Sequence, residues 1–149
     1  MRALSIRQPY AELILRGIKR IEYRSRPTRI VGERFWIYAS KKRVEFRNPR
    51  CWAACGHPAS SPKPEARIVV ADNIVVPAEP PPPWMVELAN AMRLFPYELP
   101  TGVIVGSAVI DHVTHGEHAY EWHLADVRRA KTLRRPEGHP QPSWFYPFD

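Results

Sequence analysis

No apolar run in the 149 residues approaches the ~18 needed to cross a bilayer as a helix. A secretory leader is not expected either, because Arg2, Arg7, Glu12 and Arg16 interrupt the stretch that would have to be apolar. Cysteine is scarce. Cys51 and Cys55 lie four apart with His57 close behind, a spacing that could seed a metal site or close a small loop. Structural zinc takes four Cys or His ligands, and only three stand here. His112, His115 and His118 recur at intervals of three, but on a strand that runs into a loop they do not share one face. There is no internal repeat and no shift in composition that marks a second domain. These absences point to a soluble cytoplasmic protein forming one domain over residues 1–149, with no membrane contact, no metal and no other cofactor.

Acidic side chains are few at the start of the chain. Residues 1–50 hold 14 Lys and Arg against 4 Asp and Glu, a net of +10, whereas the remaining two thirds are slightly acidic. Of the 22 basic residues 17 are Arg, whose planar fork suits phosphate oxygens and base edges. A segregated, Arg-rich surplus points to a polyanionic partner; a generally basic, solvated surface is the plainer alternative. Proline is abundant, at 17 residues, which disfavours long helices and favours strands joined by stiff loops. Leu, Ile, Val and Phe supply 35 residues, enough for one core.

Ala3 to Ile6 reads as a short strand. Pro9 and Gly17 bracket a helix of about two turns, with Leu13, Ile14 and Ile18 as its apolar stripe. Arg20 to Arg26 alternates, placing Arg20, Glu22, Arg24 and Arg26 on one face and Ile21 and Tyr23 on the other, as a half-buried strand with a working polar face. Phe35 to Ala39 is apolar on both faces, as in a strand buried within a barrel or sandwich. Lys41, Lys42, Arg43, Arg47 and Arg50 form a basic segment, helical up to Pro49. Residues 56–66 read as a loop, Ile68 to Val76 as a strand, Pro80 to Pro83 as a stiff extended stretch, and Trp84 to Leu94 as a helix. Val103 to Val113 is a long strand, Glu121 to Leu124 a short element, and Asp126 to Arg135 a final strand whose Arg128, Arg129, Lys131, Arg134 and Arg135 suit an accessory phosphate track. The aromatic tail from Pro142 to Phe148 reads as an extended edge. The sum is a mixed α+β, mainly β chain of about five or six strands and two or three short helices. A small closed or nearly closed barrel suits it, because closure removes sheet edges.

The densest constellation is Gly17-Ile18-Lys19-Arg20-Ile21-Glu22-Tyr23-Arg24, a G-x-K-x-x-E-x-R pattern at a helix-to-strand junction. The turn at Gly17 lets Lys19 leave the helix end, while Glu22 and Arg24 project the same way from the strand. A Lys beside a Glu in a partly closed pocket is either a buried ion pair that fixes the fold or a donor–acceptor pair that reads a base and polarises a carbonyl. Arg24 and Arg26, with Arg7 just upstream, suit phosphate contacts. Tyr10 suits stacking on a base, and Ser40 and Lys41 suit a phosphate at the rim where the 35–39 strand exits.

This motif resembles the ASCH domain family in its bacterial and phage branch. So do Leu4-Ser5-Ile6-Arg7-Gln8-Pro9-Tyr10 before it, Gly102-Val103-Ile104-Val105-Gly106-Ser107-Ala108, Glu121-Trp122-His123-Leu124, and Pro140-Gln141-Pro142-Ser143-Trp144-Phe145. Residues 1–40 and 101–149 carry the resemblance, and about 41–100 stands as a variable insertion. The resemblance implies a PUA-like β-barrel with a cleft beside the motif that binds single-stranded RNA or a nucleotide. Some relatives are enzymes. One group is implied to hydrolyse N4-acylated cytidine with a Lys, a Thr three positions on and a downstream Glu. Lys19 matches the Lys, Glu22 stands at the Thr position, and Glu121 is a loose match for the downstream Glu. Another group is implied to cut single-stranded RNA with the matching Lys and a Ser on a later strand, for which Ser107 is nearest. An RNA-binding module, possessing or lacking ribonuclease activity, is therefore the first expectation, with Lys19, Glu22, Ser107 and Glu121 as its candidate catalytic set. An amidohydrolase acting on a modified nucleoside is the second, and a plain interaction module using the insertion is the third.

Overall fold

The computed structural model describes residues 1–44, 74–75 and 98–148. The apolar runs anticipated around Phe35 and Val103 become the two strands at the middle of a sheet. In chain order the elements are β1 (Ala3–Gln8), α1 (Tyr10–Leu15), β2 (Ile21–Arg24), β3 (Arg34–Val44), β4 (Ile74–Val75), β5 (Val103–His115), β6 (Tyr120–Arg134) and β7 (Trp144–Phe145). The sheet runs β2-β6-β5-β3-β1-β7, with β4 added alongside β3. The described residues fall into two compact units: residues 1–6, 10–39 and 102–149, and residues 7–9 and 40–101.

In the first unit, β2 and β1 are four places apart in the strand order, yet the Arg24 guanidinium on β2 donates to the Ser5 carbonyl on β1 at 2.8 Å. Trp122 of β6 likewise stacks on Trp144 of β7, with ring centres 5.7 Å apart. Only a strongly curled sheet allows such contacts, and the result is a mainly β half-barrel with β2 and β7 as its edges. Among the described residues β2 and β7 are not paired with each other, and the curled sheet is consistent with the small, nearly closed barrel expected.

The inner face carries the main core, including Leu4, Ile6, Ile14, Phe35, Ile37 and Trp122. Phe35 is fully buried and meets Trp144 edge-on at 5.3 Å; burying a side chain of that size contributes about 1.5–3 kcal/mol. The outer face of the same strands carries a smaller cluster of Ala3, Tyr38, Ile104 and Phe145. The helix lies close on β5 at Gly106. A Cβ there would stand 2.4 Å from Leu15 Cδ2 and 2.5 Å from the Arg128 carbonyl oxygen, so only glycine permits the approach.

Three expectations need correction. Glu121–Leu124 and Asp126–Arg135 are one strand, β6, rather than two elements. Asp126 and Val127 together face Ala108 where the β5–β6 register shifts, so a bulge bends the strand instead of ending it. Asp126 takes φ +43° there, a conformation that Asp tolerates better than most residues. Hydrogen bonds from Arg128 at 2.8 and 3.0 Å outweigh desolvation and hold its carboxyl below the usual range. Secondly, β2 turns its charged side inward: Glu22 is buried whereas Tyr23 is 57% exposed. Arg20 and Arg26 are exposed and lie outside the strand. Thirdly, residues 41–44, read as the start of a basic helix, are the end of β3 instead.

In the second unit, Gln8 donates to the Pro100 carbonyl at 3.0 Å, and Ser40 Oγ to the Lys42 carbonyl at 2.9 Å. Here β4 runs parallel to the outer end of β3, with Ile74 opposite Arg43. These two residues are the described part of the expected 68–76 strand. The rest of the basic segment from residue 45, the 56–66 loop, the Pro80–Pro83 stretch, the Trp84–Leu94 helix and the Cys51, Cys55, His57 group lie outside the described residues. No helix among the described residues is long and apolar enough to cross a membrane.

Candidate functional site

The site begins with the way α1 ends. Gly17 sits at φ +73°, the left-handed geometry that lets a chain leave a helix. Its N–H donates to the Ile14 carbonyl at 2.9 Å, and Ile18 N–H donates to Leu13 at 3.0 Å. This is the paired bonding of a glycine-closed helix terminus. Lys19 N–H also reaches Leu13, at 3.1 Å. The backbone of Lys19 is thereby fixed, and its side chain is directed beneath the strand that follows.

The Lys19 ammonium donates to Glu22 Oε2 at 2.6 Å and to the Ile21 carbonyl. The other carboxylate oxygen, Glu22 Oε1, accepts from Arg24 Nε at 3.0 Å. Both Lys19 and Glu22 are 8% exposed, and the Arg24 side chain is 20% exposed. Burial alone would raise the Glu22 carboxyl, but the charges and hydrogen bonds of Lys19 and Arg24 outweigh it and hold it below the usual carboxylate range. Glu22 is therefore an anion between two cations, and the group carries one net positive charge.

Aromatic rings surround it. Lys19 Nζ lies 5.7 Å from the Tyr10 ring centre and 5.5 Å from that of Tyr23, within cation–π range. The Arg24 guanidinium lies 5.8 Å from the Trp122 ring. Trp122 is held in turn by its stack on Trp144 and by its indole N–H, which donates to the Arg26 carbonyl at 3.2 Å. Lys19 retains a third N–H with no hydrogen-bond acceptor among the described residues, and Arg24 likewise has unused donors.

The sequence-derived candidates separate. Lys19, Glu22, Arg24 and Tyr10 come together. Ser107 does not join them: Ala108 points into the core beside Trp122, so its neighbour Ser107 faces the other side of the sheet. There the Ser107 hydroxyl accepts from Arg34 Nη1 at 3.0 Å. Glu121, adjacent to Trp122, also faces away and accepts from the Thr114 hydroxyl at 3.0 Å. Arg26 is exposed. Arg7 and Lys41 are exposed and Ser40 is half-buried; all three belong to the second unit. His112 stacks on His123 at 4.0 Å and His115 meets Tyr120 edge-on, while His118 is exposed. No group of three or more possible metal ligands occurs among the described residues.

Sequence reasoning missed Glu12. This buried carboxylate accepts from Arg16 at 2.7 Å and from Arg129 at 2.7 and 3.0 Å, tying α1 to β6. Desolvation would raise its carboxyl, and the two arginines lower it instead. The available signal was an acid between apolar neighbours in Tyr10–Leu15.

A small, strongly curled, mainly β sheet with one short helix is consistent with a PUA-like β-barrel. Residues 4–145 match the ASCH domain, and the chain belongs to that family, a PUA-like domain whose members generally bind RNA. No curated protein matches the sequence.

Proposed function

We propose that this ASCH domain binds single-stranded RNA at the Lys19–Glu22–Arg24 group. The observation that carries the reading is a nearly buried ammonium with an unspent donor, inside a cluster of net positive charge and beside two tyrosine rings. A buried donor left unsatisfied is costly, and an oxygen of a base or phosphate satisfies it. Exposed Tyr23 offers a stacking face to an unpaired base, and exposed Arg26 offers a phosphate contact. In this reading residues 1–149 form one domain, with about 41–100 as an insertion, and the protein acts in the cytoplasm.

Binding is favoured over turnover. Glu22 is held ionised with both oxygens engaged, so at neutral pH it has no proton to give. The Ser107 hydroxyl is taken up by Arg34 on the other face of the sheet. Fluorescence anisotropy with labelled single-stranded and duplex RNA tests the reading. Single strands are expected to bind more tightly, with log K falling against log salt by about 0.7 per phosphate contacted. Tyr23→Ala and Arg26→Ala, both at exposed positions, are expected to weaken binding without unfolding the chain. Affinity indifferent to salt and to both substitutions would remove the proposal. Release of acetate from N4-acetylcytidine, or cleavage of the probe, would replace it with one of the hydrolytic readings.

A further inference from the structure

Five cationic side chains crowd the end of β6 and the residue after it, and they are not equivalent. Arg128 is committed to Asp126, and Arg129 to Glu12. Lys131 and Arg135 are exposed, and the ion pairs of the described residues involve neither. Arg134 differs again. Its guanidinium carbon lies 3.9 Å from the ring centre of Phe148, while its side chain is 58% exposed. The ion-pair partner it has among the described residues, Glu137, is 3.9 Å away, too far for a hydrogen bond.

The segment carrying Phe148 is anchored. Pro147 is fully buried, and its carbonyl accepts from the Glu137 N–H at 2.8 Å. Beside it Tyr146 is 61% exposed; its hydroxyl accepts from Arg2 Nε at 2.9 Å, with the Arg2 guanidinium 5.7 Å from its ring. A guanidinium backed by an aromatic ring leaves its second face open to another flat group, and its N–H edge open to an anion. An unpaired nucleotide supplies both, a base for the face and a phosphate for the edge.

We propose that Arg134 stacked on Phe148, flanked by Lys131, Arg135 and Tyr146, is a second contact for single-stranded RNA, holding a nucleotide that flanks the one at the G-x-K-x-x-E-x-R motif. The proposal rests on the RNA-binding reading given above. β2 pairs with β6 over Tyr120–His123, whereas Arg134 lies opposite Ile104 and Phe148 packs against the outer-face cluster, so an RNA that touches both contacts passes from the inner face of the sheet to the outer one, several nucleotides apart. A dinucleotide therefore reaches one contact, and a longer strand reaches both.

The test measures binding of a dinucleotide and of an RNA of about 16 nucleotides to the full chain, with thermal melting to confirm that each variant is folded. Arg134→Ala is expected to weaken the long probe about tenfold and leave the dinucleotide unchanged. Arg134→Lys keeps the charge without the planar stack and is expected to recover little. Replacing Lys131 and Arg135 together by Ala is expected to flatten the salt slope by about 1.4. Equal losses on both probes, full recovery with Lys, or no loss at all would overturn the second contact. If Tyr23→Ala and Arg26→Ala weaken the long probe but Arg134→Ala does not, only the second contact falls. If Arg134→Ala weakens it and those two do not, the second contact stands and the motif site falls. A wild-type chain that binds neither probe removes both.

Discussion

Glu22 is the residue on which the motif turns. Its carboxylate separates Lys19 from Arg24, and without it two cations would share a space that is largely closed to water. Glu22→Gln keeps the shape but removes the charge, and losing one partner of a buried pair costs about 3–5 kcal/mol. A fall of that size in urea unfolding is expected, larger than for Lys41→Ala at an exposed position. The pH dependence has a definite sign. Glu12 and Glu22 both titrate lower in the folded chain than in the unfolded one. Their stabilisation is therefore complete above the unfolded carboxylate value and is lost as pH falls through the folded values. Melting temperature should be level from neutral pH to about pH 5 and drop below about pH 4, and Glu22→Gln should make that drop shallower. A drop unchanged by the substitution would show that other carboxylates govern it.

Among the elements, two glycines make a paired test of why the helix and sheet meet as they do. At Gly17 an added methyl meets nothing within 4 Å, but φ is +73°; Gly17→Ala is expected to cost about 1–2 kcal/mol from backbone strain alone. At Gly106 the backbone is ordinary and the space is absent, so Gly106→Ala must turn the Leu15 side chain aside and part β5 from the Arg128 carbonyl of β6, at a cost of about 1–3 kcal/mol or more. Chemical denaturation of both variants checks the values, and Gly17→Ala should also weaken RNA binding by displacing Lys19. The left-handed glycine was readable in the sequence, because a helix stripe ended just before it. The central strands were readable from their continuous apolar runs. The inward turn of β2 was not: alternation separates Arg20, Glu22, Arg24 and Arg26 from Ile21 and Tyr23 but does not say which set faces the core. Tertiary pairing decided that, since Glu22 gained Lys19 and Arg24 as counter-charges while Tyr23 stayed exposed. The unbroken length of β6 was hidden for a related reason, because a bulge at Asp126 mimics the end of a strand.

For the whole molecule, the basic surplus of the first 50 residues pointed to a polyanion before any coordinate was known, and the family match agrees with that class of partner. The grouping of Lys19, Glu22 and Arg24 was readable because all three lie within six residues of one another. Ser107 and Glu121 lie far from them in sequence, and strand parity decided their direction; a one-residue change of register would have reversed it. The outermost pairing has a consequence for how the protein is made. Ala3 and Leu4 lie opposite Phe145 and Trp144, so during synthesis β1 waits for β7 to follow it from the ribosome. Until then Phe35 and Trp122 lack the indole that covers them, and the half-finished sheet offers a sticky edge to neighbouring chains. A variant lacking residues 141–149 should be digested by a protease that spares the full chain.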